Sequence, residues 1–266
     1  MPLAHQGTAL ITGASSGLGA VYADRLARRG YDLILVARNR NRLIALANRI
    51  TNETHRSVEI IDADLKDRAA LAGVEAKLKQ DASITLLVNN AGVGTHTPLL
   101  ESNIDAMTRM IDLNVTALTR LTYAAVPGFI ARGMGAVINI SSIVAISPET
   151  LNGVYGGSKA FVLAFSQSLH HELADKGVQV QAVLPGATAT DFWETGGLPI
   201  EHLPKGIVMS ASDMVDAALT GFDRRELVTI PSLHPGEKWD TYEAARRAMS
   251  THLSSDVPAP RYATAR

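Results

Sequence analysis

Thr12-Gly13-Ala14-Ser15-Ser16-Gly17-Leu18-Gly19 follows a short apolar run, Ala9-Leu10-Ile11, and precedes a helical pattern rich in Ala, Leu and Arg. Strand, glycine turn, helix is the order that decides how the rest of the chain is read. Glycines let backbone pass close to a pyrophosphate, and the start of the helix offers unpaired N–H groups and the positive end of a dipole. The spacing is Gly-x-x-x-Gly-x-Gly, so the turn alone is equally compatible with a tight strand–helix connection that holds no ligand.

Outward from this turn, short β-rich apolar runs at 33–36, 58–61, 86–88, 136–140, 178–184 and 227–230 alternate with helical stretches at 17–30, 39–54, 67–81, 103–132 and 155–176. Most runs are apolar on both faces, as strands covered by helices on either side must be. The alternation predicts an α/β fold: a Rossmann-like, doubly wound parallel sheet of about seven strands, in the order 3-2-1-4-5-6-7 with right-handed crossovers. No linker or internal repeat interrupts it, so one domain over residues 1–266 is expected, with its core at about 7–232. Residues 189–210, with Gly196-Gly197, Pro199 and Pro204, read as a loop or short-helix excursion. Residues 235–252 read as an amphipathic C-terminal helix, expected to cap a pocket or to pack on a neighbouring subunit. The tail at 254–266 reads as poorly ordered.

Composition narrows the function classes. The 266 residues are 46% hydrophobic, which suits a globular core, and the net charge of −1 gives no general attraction to nucleic acid or an acidic membrane surface. Cysteine is absent, which excludes a disulfide framework and thiol catalysis. No apolar run reaches the ~18 residues of a membrane span, and no targeting segment is visible, so a cytoplasmic enzyme is the expectation.

The second predicted strand ends at Val36-Ala37, and Arg38 follows, with Arg40 and Arg42 close behind. At this point of a dinucleotide-binding fold an acid would bond a ribose 2′-hydroxyl, whereas a basic group suits a 2′-phosphate. Guanidinium forks match a phosphate dianion, and basic residues at a helix start oppose the dipole unless an anion lies near. NADP(H) is therefore expected over NAD(H), with Arg38 the main contact.

Tyr155-Gly156-Gly157-Ser158-Lys159 opens a helical segment and puts Tyr155 and Lys159 on one face. A free tyrosine titrates at ~10, and a neighbouring ammonium favours the phenolate and lowers that value. Lys159 is expected to tune Tyr155 in this way. Ser142 closes a strand thirteen residues earlier, at the carboxyl edge where ligands bind in such sheets.

Taken together, these residues resemble the short-chain dehydrogenase/reductase family, in its single-domain branch, over about residues 7–232. The turn at 12–19, Asp64, Asn89-Asn90-Ala91-Gly92, Asn114, Ser142, Tyr155, Lys159 and Pro185-Gly186 followed by Thr190 match the family motifs in order. The resemblance implies a catalytic tetrad of Asn114, Ser142, Tyr155 and Lys159, with Tyr155 exchanging a proton with the substrate oxygen and Ser142 polarising it. It implies cofactor contacts at Gly13, Ser15, Ser16, Gly17, Leu18, Gly19, Arg38, Arg42, Asp64, Leu65, Asn90, Ala91, Gly92, Tyr155, Lys159, Pro185, Gly186, Thr188 and Thr190. It also implies a homodimer or homotetramer, often joined through the helices at 103–132 and 155–176. Two departures stand out. Glycine occupies both 156 and 157, read either as tolerance at a buried helix end or as a close approach by cofactor or partner helix, and Ile143-Val144-Ala145-Ile146 is unusually apolar.

Position suggests a pocket walled by Val93, Gly94, His96, Val144, Leu151, Asn152, Phe192 and Trp193, with Ser142 and Tyr155 at its base. Apolar walls suit a small or medium ketone, aldehyde or secondary alcohol. His96 reads as a rim residue. His170-His171-Glu172 lacks further ligands at useful spacing, so no metal is expected. The alternative to an NADP(H)-dependent oxidoreductase is a non-catalytic dinucleotide-binding regulator on the same fold. Retention of all four tetrad members favours the enzyme. An epimerase or dehydratase of the extended branch would need a shorter glycine spacing and a large C-terminal domain.

Overall fold

The computed structural model describes residues 6–204 and 206–262. The chain divides after Pro231 into two compact units. The first is built on β1 (Thr8–Thr12), β2 (Asp32–Ala37), β3 (Val58–Asp62), β4 (Ile84–Asn89), β5 (Gly135–Ile140), β6 (Val178–Val183) and β7 (Val228–Thr229). They form one seven-stranded sheet in the order β3-β2-β1-β4-β5-β6-β7, every pairing parallel. This is the predicted order.

Side-chain alternation along the strands explains why helices cover both faces. Ala9, Ile11, Leu33, Leu35, Leu86 and Ile138 point into one core, against α1 (Gly17–Arg28), α2 (Arg40–Thr54) and the helix Ala211–Asp223. Leu10, Ile34, Leu87 and Val137 point into the other, against α3 (Arg68–Gln80), the helix Leu118–Arg132 and the helix Gly153–Leu173. Full burial of each large aliphatic side chain contributes roughly 1.5–3 kcal/mol before conformational entropy is counted.

The segment expected as one helix over 103–132 is interrupted: α4 (Ile104–Ile111) passes through a π-helical turn, Asp112–Ala117, into α5 (Leu118–Arg132). Asn114 sits in that turn. The helix Gly153–Leu173 is α6, and Ala211–Asp223 is α7. Between β6 and α7, the excursion contains a two-residue parallel pair, Thr188–Ala189 with Met209–Ser210, and a single helical turn, Phe192–Thr195.

The second unit contains α8 (Glu237–Ala248) and short 3-10 turns at Ser250–His252 and Pro260–Tyr262. On α8 Trp239 stacks on Tyr242, and Glu243 is the buried residue, paired with Arg246. The helix predicted over 235–252 is formed by Glu237–Ala248, with Trp239 partly buried and Tyr242 exposed. Of the predicted tail, residues 263–266 lie outside the described residues. Among the described residues no helix is long and apolar enough to cross a membrane.

Candidate active site

The glycine turn is held in place from β4. The Thr12 hydroxyl accepts the backbone N–H groups of Asn90 and Ala91, each at 3.0 Å, while the Asn90 amide donates to the carbonyls of Thr12 (2.9 Å) and Gly13 (3.2 Å). Gly13 and Gly17 have φ of +66° and +54°, which side chains rarely tolerate. A Cβ on Gly13 would come within 2.9 Å of Ala91 Cα, and one on Gly19 would overlap the Gly13 carbonyl oxygen. The turn therefore lies directly against the β4 loop and its own helix.

Three features of this crevice fit a dinucleotide phosphate. Ser16 caps α1 without a side-chain hydrogen bond, and the first turn of α1 contains no acid, so its leading amides face outward unmatched by a carboxylate. Gly17 and Thr190 close on each other, with a Cβ at 17 lying 3.3 Å from Thr190. Arg38 is exposed at the end of β2 and forms no ion pair or hydrogen bond among the described residues. Arg42 lies in the first turn of α2. Its guanidinium is engaged by Asp191 at 3.1 Å, which links the start of α2 to the residue after Thr190. Asp64 is held locally by Lys66, through its backbone N–H at 3.0 Å and its ammonium at 3.7 Å, and Leu65 is buried in the core. Thr188 is buried and bonds the Gly186 carbonyl.

At the other end of the crevice Ser142, Tyr155 and Lys159 converge, all buried. Lys159 Nζ donates to the Ile140 carbonyl at 2.9 Å and stands 5.9 Å from the centre of the Tyr155 ring. The Ser141 hydroxyl donates to the Lys159 carbonyl at 2.7 Å, fastening α6 to the end of β5. Ser158 donates to the Tyr155 carbonyl at 2.8 Å and accepts from the Asn114 amide at 3.1 Å. Asn114 also bonds both backbone groups of Val93. A Cβ on Gly92 would stand 3.4 Å from Lys159 Nζ, so glycine keeps the approach to the lysine clear.

Burial and Ser142 are the influences on the Tyr155 phenol. Burial pushes Tyr155 up to about 12, opposed by a hydrogen bond with Ser142, and burial brings Lys159 down to about 8. A dry site penalises phenolate and ammonium alike.

Among the pocket candidates, Val144 and Tyr155 share an apolar cluster with Met107 and Met110, against which Val93, Leu151 and Phe192 pack. Gly94, His96, Leu151, Phe192 and Trp193 line a small adjoining cavity with Leu198. Asn152 departs from its expected place on the pocket wall. Its carboxamide caps α6, accepting from the N–H groups of Val154 and Tyr155, and donates to the Thr97 carbonyl. An Asn before a helix is as much a cap signal as a pocket signal. The contact at Gly156 is with the chain itself: a Cβ there would lie 3.3 Å from the Pro148 carbonyl, while one on Gly157 would meet nothing within 4 Å. Met107 and Met110, buried in this cluster, were not singled out in the sequence.

Comparisons agree with this geometry. The family described as short chain dehydrogenase matches residues 7–197. A short-chain dehydrogenase from Sphingobium yanoikuyae, in complex with NADPH, is 49% identical and superposes with a TM-score of 0.93, over 96% of this chain and 100% of that one. The bulky-bulky ketone specific alcohol dehydrogenase from Comamonas testosteroni is 45% identical with a TM-score of 0.89, over 97% and 99%. Hydroxysteroid dehydrogenase-like protein 1 from Gallus gallus is 34% identical over 185 residues, 68% of this chain but only 56% of that protein's length. The chain belongs to the short-chain dehydrogenase family.

Proposed function

We propose that this protein is an NADP(H)-dependent reductase of ketones with apolar substituents, or the dehydrogenase of the corresponding secondary alcohols. The observation that carries the reading is the convergence of Ser142, Tyr155 and Lys159 beneath the apolar cluster of Val144, Met107, Met110 and Phe192. The glycine turn, the α1 N-terminus and Arg38 would hold the dinucleotide, Arg38 at its 2′-phosphate. Held there, a dinucleotide would supply hydride chemistry to a carbonyl or alcohol placed beside Ser142 and Tyr155. Ser142 Oγ orients the substrate oxygen, and Tyr155 gives that oxygen a proton during reduction. With its phenol at about 12, Tyr155 keeps its proton at neutral pH and rests in the donor form. Lys159, whose ammonium stands 5.9 Å from the Tyr155 ring centre, would hold the ribose hydroxyls. NADPH complexed to the Sphingobium relative and the ketone specificity of the Comamonas relative support the choice of cofactor and substrate.

The test is NADPH oxidation against a panel of ketones and aldehydes, repeated with Tyr155→Phe. Turnover should fall by about 10²–10⁴-fold while NADPH binding persists. Unchanged turnover in the variant would remove the mechanism.

Self-association through α5 and α6 belongs to the same proposal. Tyr123 is 69% exposed and Phe161 39% exposed, and both stack on Phe165 between them. An outward aromatic row of this kind is the surface an interface covers. Sedimentation of Tyr123→Glu with Phe161→Glu should return a smaller species than the parent protein.

A further inference from the structure

Phe192 occupies a place that could otherwise belong to residue 94. Its ring tip lies where a Cβ on Gly94 would stand, and such a Cβ would also come within 3.1 Å of Phe192 Cε2 and of Tyr155 Cε2. Gly94 is absent from the glycines with positive φ, so its backbone does not require glycine. What glycine provides here is room, and an aromatic ring fills it. The ring is tilted by 45° to Tyr155, with centroids 5.7 Å apart.

The ring is braced from behind. Trp193 meets it edge-on at 5.8 Å and is itself fixed by an Nε1–H bond to the Thr188 carbonyl at 2.9 Å. The far end of the same turn is pinned to the strand-four loop, where His96 Nδ1 donates to the Gly196 carbonyl at 3.1 Å. Residues 192–196 therefore lie against residues 94–96 at two points, one apolar and one polar. The apolar point sits directly beside the reacting tyrosine.

We propose that Gly94 and Phe192 form the size filter of the active site. The Phe192 ring, seated on Gly94, bounds the compartment that takes the larger arm of a carbonyl substrate. Removing the ring opens room for a second large arm, and adding a methyl at 94 forces the ring off its seat. This inference rests on the ketone-reductase reading above.

The experiment uses the full chain with Trp239→Phe, which leaves Trp193 as the sole tryptophan beside the ring. Phe192→Ala, Phe192→Leu, Gly94→Ala and the Gly94→Ala/Phe192→Ala pair are compared on acetophenone, with one small arm, and benzophenone, with two large ones. Two quantities are read: kcat/KM with NADPH, and Trp193 fluorescence on titrating each ketone with saturating NADP+ present. Phe192→Ala should raise the benzophenone-to-acetophenone ratio at least about tenfold in both, with Phe192→Leu in between. Gly94→Ala should weaken ketone binding in the parent and cost much less once Phe192 is alanine, because the overlap is then gone. A ratio within about twofold of the parent, or equal costs of Gly94→Ala in both backgrounds, would overturn the filter. If neither ketone turned over, the reading of function would fall, while the fluorescence ratios would still judge the filter by themselves.

Discussion

The Asn114 carboxamide pairs with both backbone groups of Val93, accepting its N–H at 3.0 Å and donating to its carbonyl at 2.8 Å. The same amide reaches Ser158 at 3.1 Å, so one side chain joins the π-helical turn, the β4 loop and α6. Asn114 and Ser158 are almost completely buried, while Val93 is partly buried. Asn114→Ala should cost about 1–3 kcal/mol, the penalty for stranding buried polar groups. Urea unfolding measures it, and a loss below about 0.5 kcal/mol would show that the loop finds other partners.

Arg38 gives the cofactor prediction. It is exposed and forms no ion pair or hydrogen bond among the described residues, unlike Arg42, which Asp191 holds. Arg38→Asp should swing the ratio of kcat/KM for NADPH over NADH by about a hundredfold, equivalent to roughly 2.7 kcal/mol of charge-assisted bonding. An unchanged ratio would move the 2′-phosphate contact elsewhere.

Lys159 gives a pH prediction whose sign follows from burial. In the native protein it is brought down to about 8, while in the unfolded chain it titrates near ~10.4. Below pH 8 both states carry the proton, and the native state bears the full cost of a buried ammonium. Between the two values the unfolded chain binds more protons, so native stability rises with pH, by at most about 1.4 kcal/mol per unit. Tyr155, pushed up to about 12, works in the opposite sense above pH 10, where the unfolded chain loses its proton first. Lys159→Met removes the first effect. Unfolding free energies at pH 7.5, 8.5 and 9.5 should therefore diverge in favour of the parent as pH rises, and parallel curves would contradict the buried-ammonium cost.

Gly157 gives a stability prediction. It is exposed, lies within α6, and has nothing within 4 Å of a Cβ. Gly157→Ala should stabilise the protein by about 1 kcal/mol through helix propensity alone. Destabilisation, or a change in sedimentation, would reveal a partner surface at that position.

The parallel sheet was legible because apolar runs and helical stretches alternate cleanly, and its order because the glycine turn after the first strand marks a dinucleotide-binding fold. Ser142, Tyr155 and Lys159 were legible because their motifs fix them at the ends of β5 and the start of α6. The π-helical turn at Asn114 was not, since one extra residue per turn leaves the apolar spacing of 103–132 almost unchanged. The Arg42–Asp191 pair joins residues 149 positions apart, which no local pattern encodes. The capping role of Asn152 was readable from its place before a helix, yet it competed with an equally local reading as pocket wall. The direction of the Tyr155 shift depends on how deeply both partners are buried, which spacing on a helix does not reveal.

The stitching of Thr12 to Asn90 and Ala91 has a mechanical meaning. Four hydrogen bonds cross between the β1 and β4 loops within two residues on either side, and Gly13 has no clearance against Ala91. The two loops therefore behave as one rigid body, a keystone between the halves of the sheet. A shift of either loop would break hydrogen bonds that shape the other.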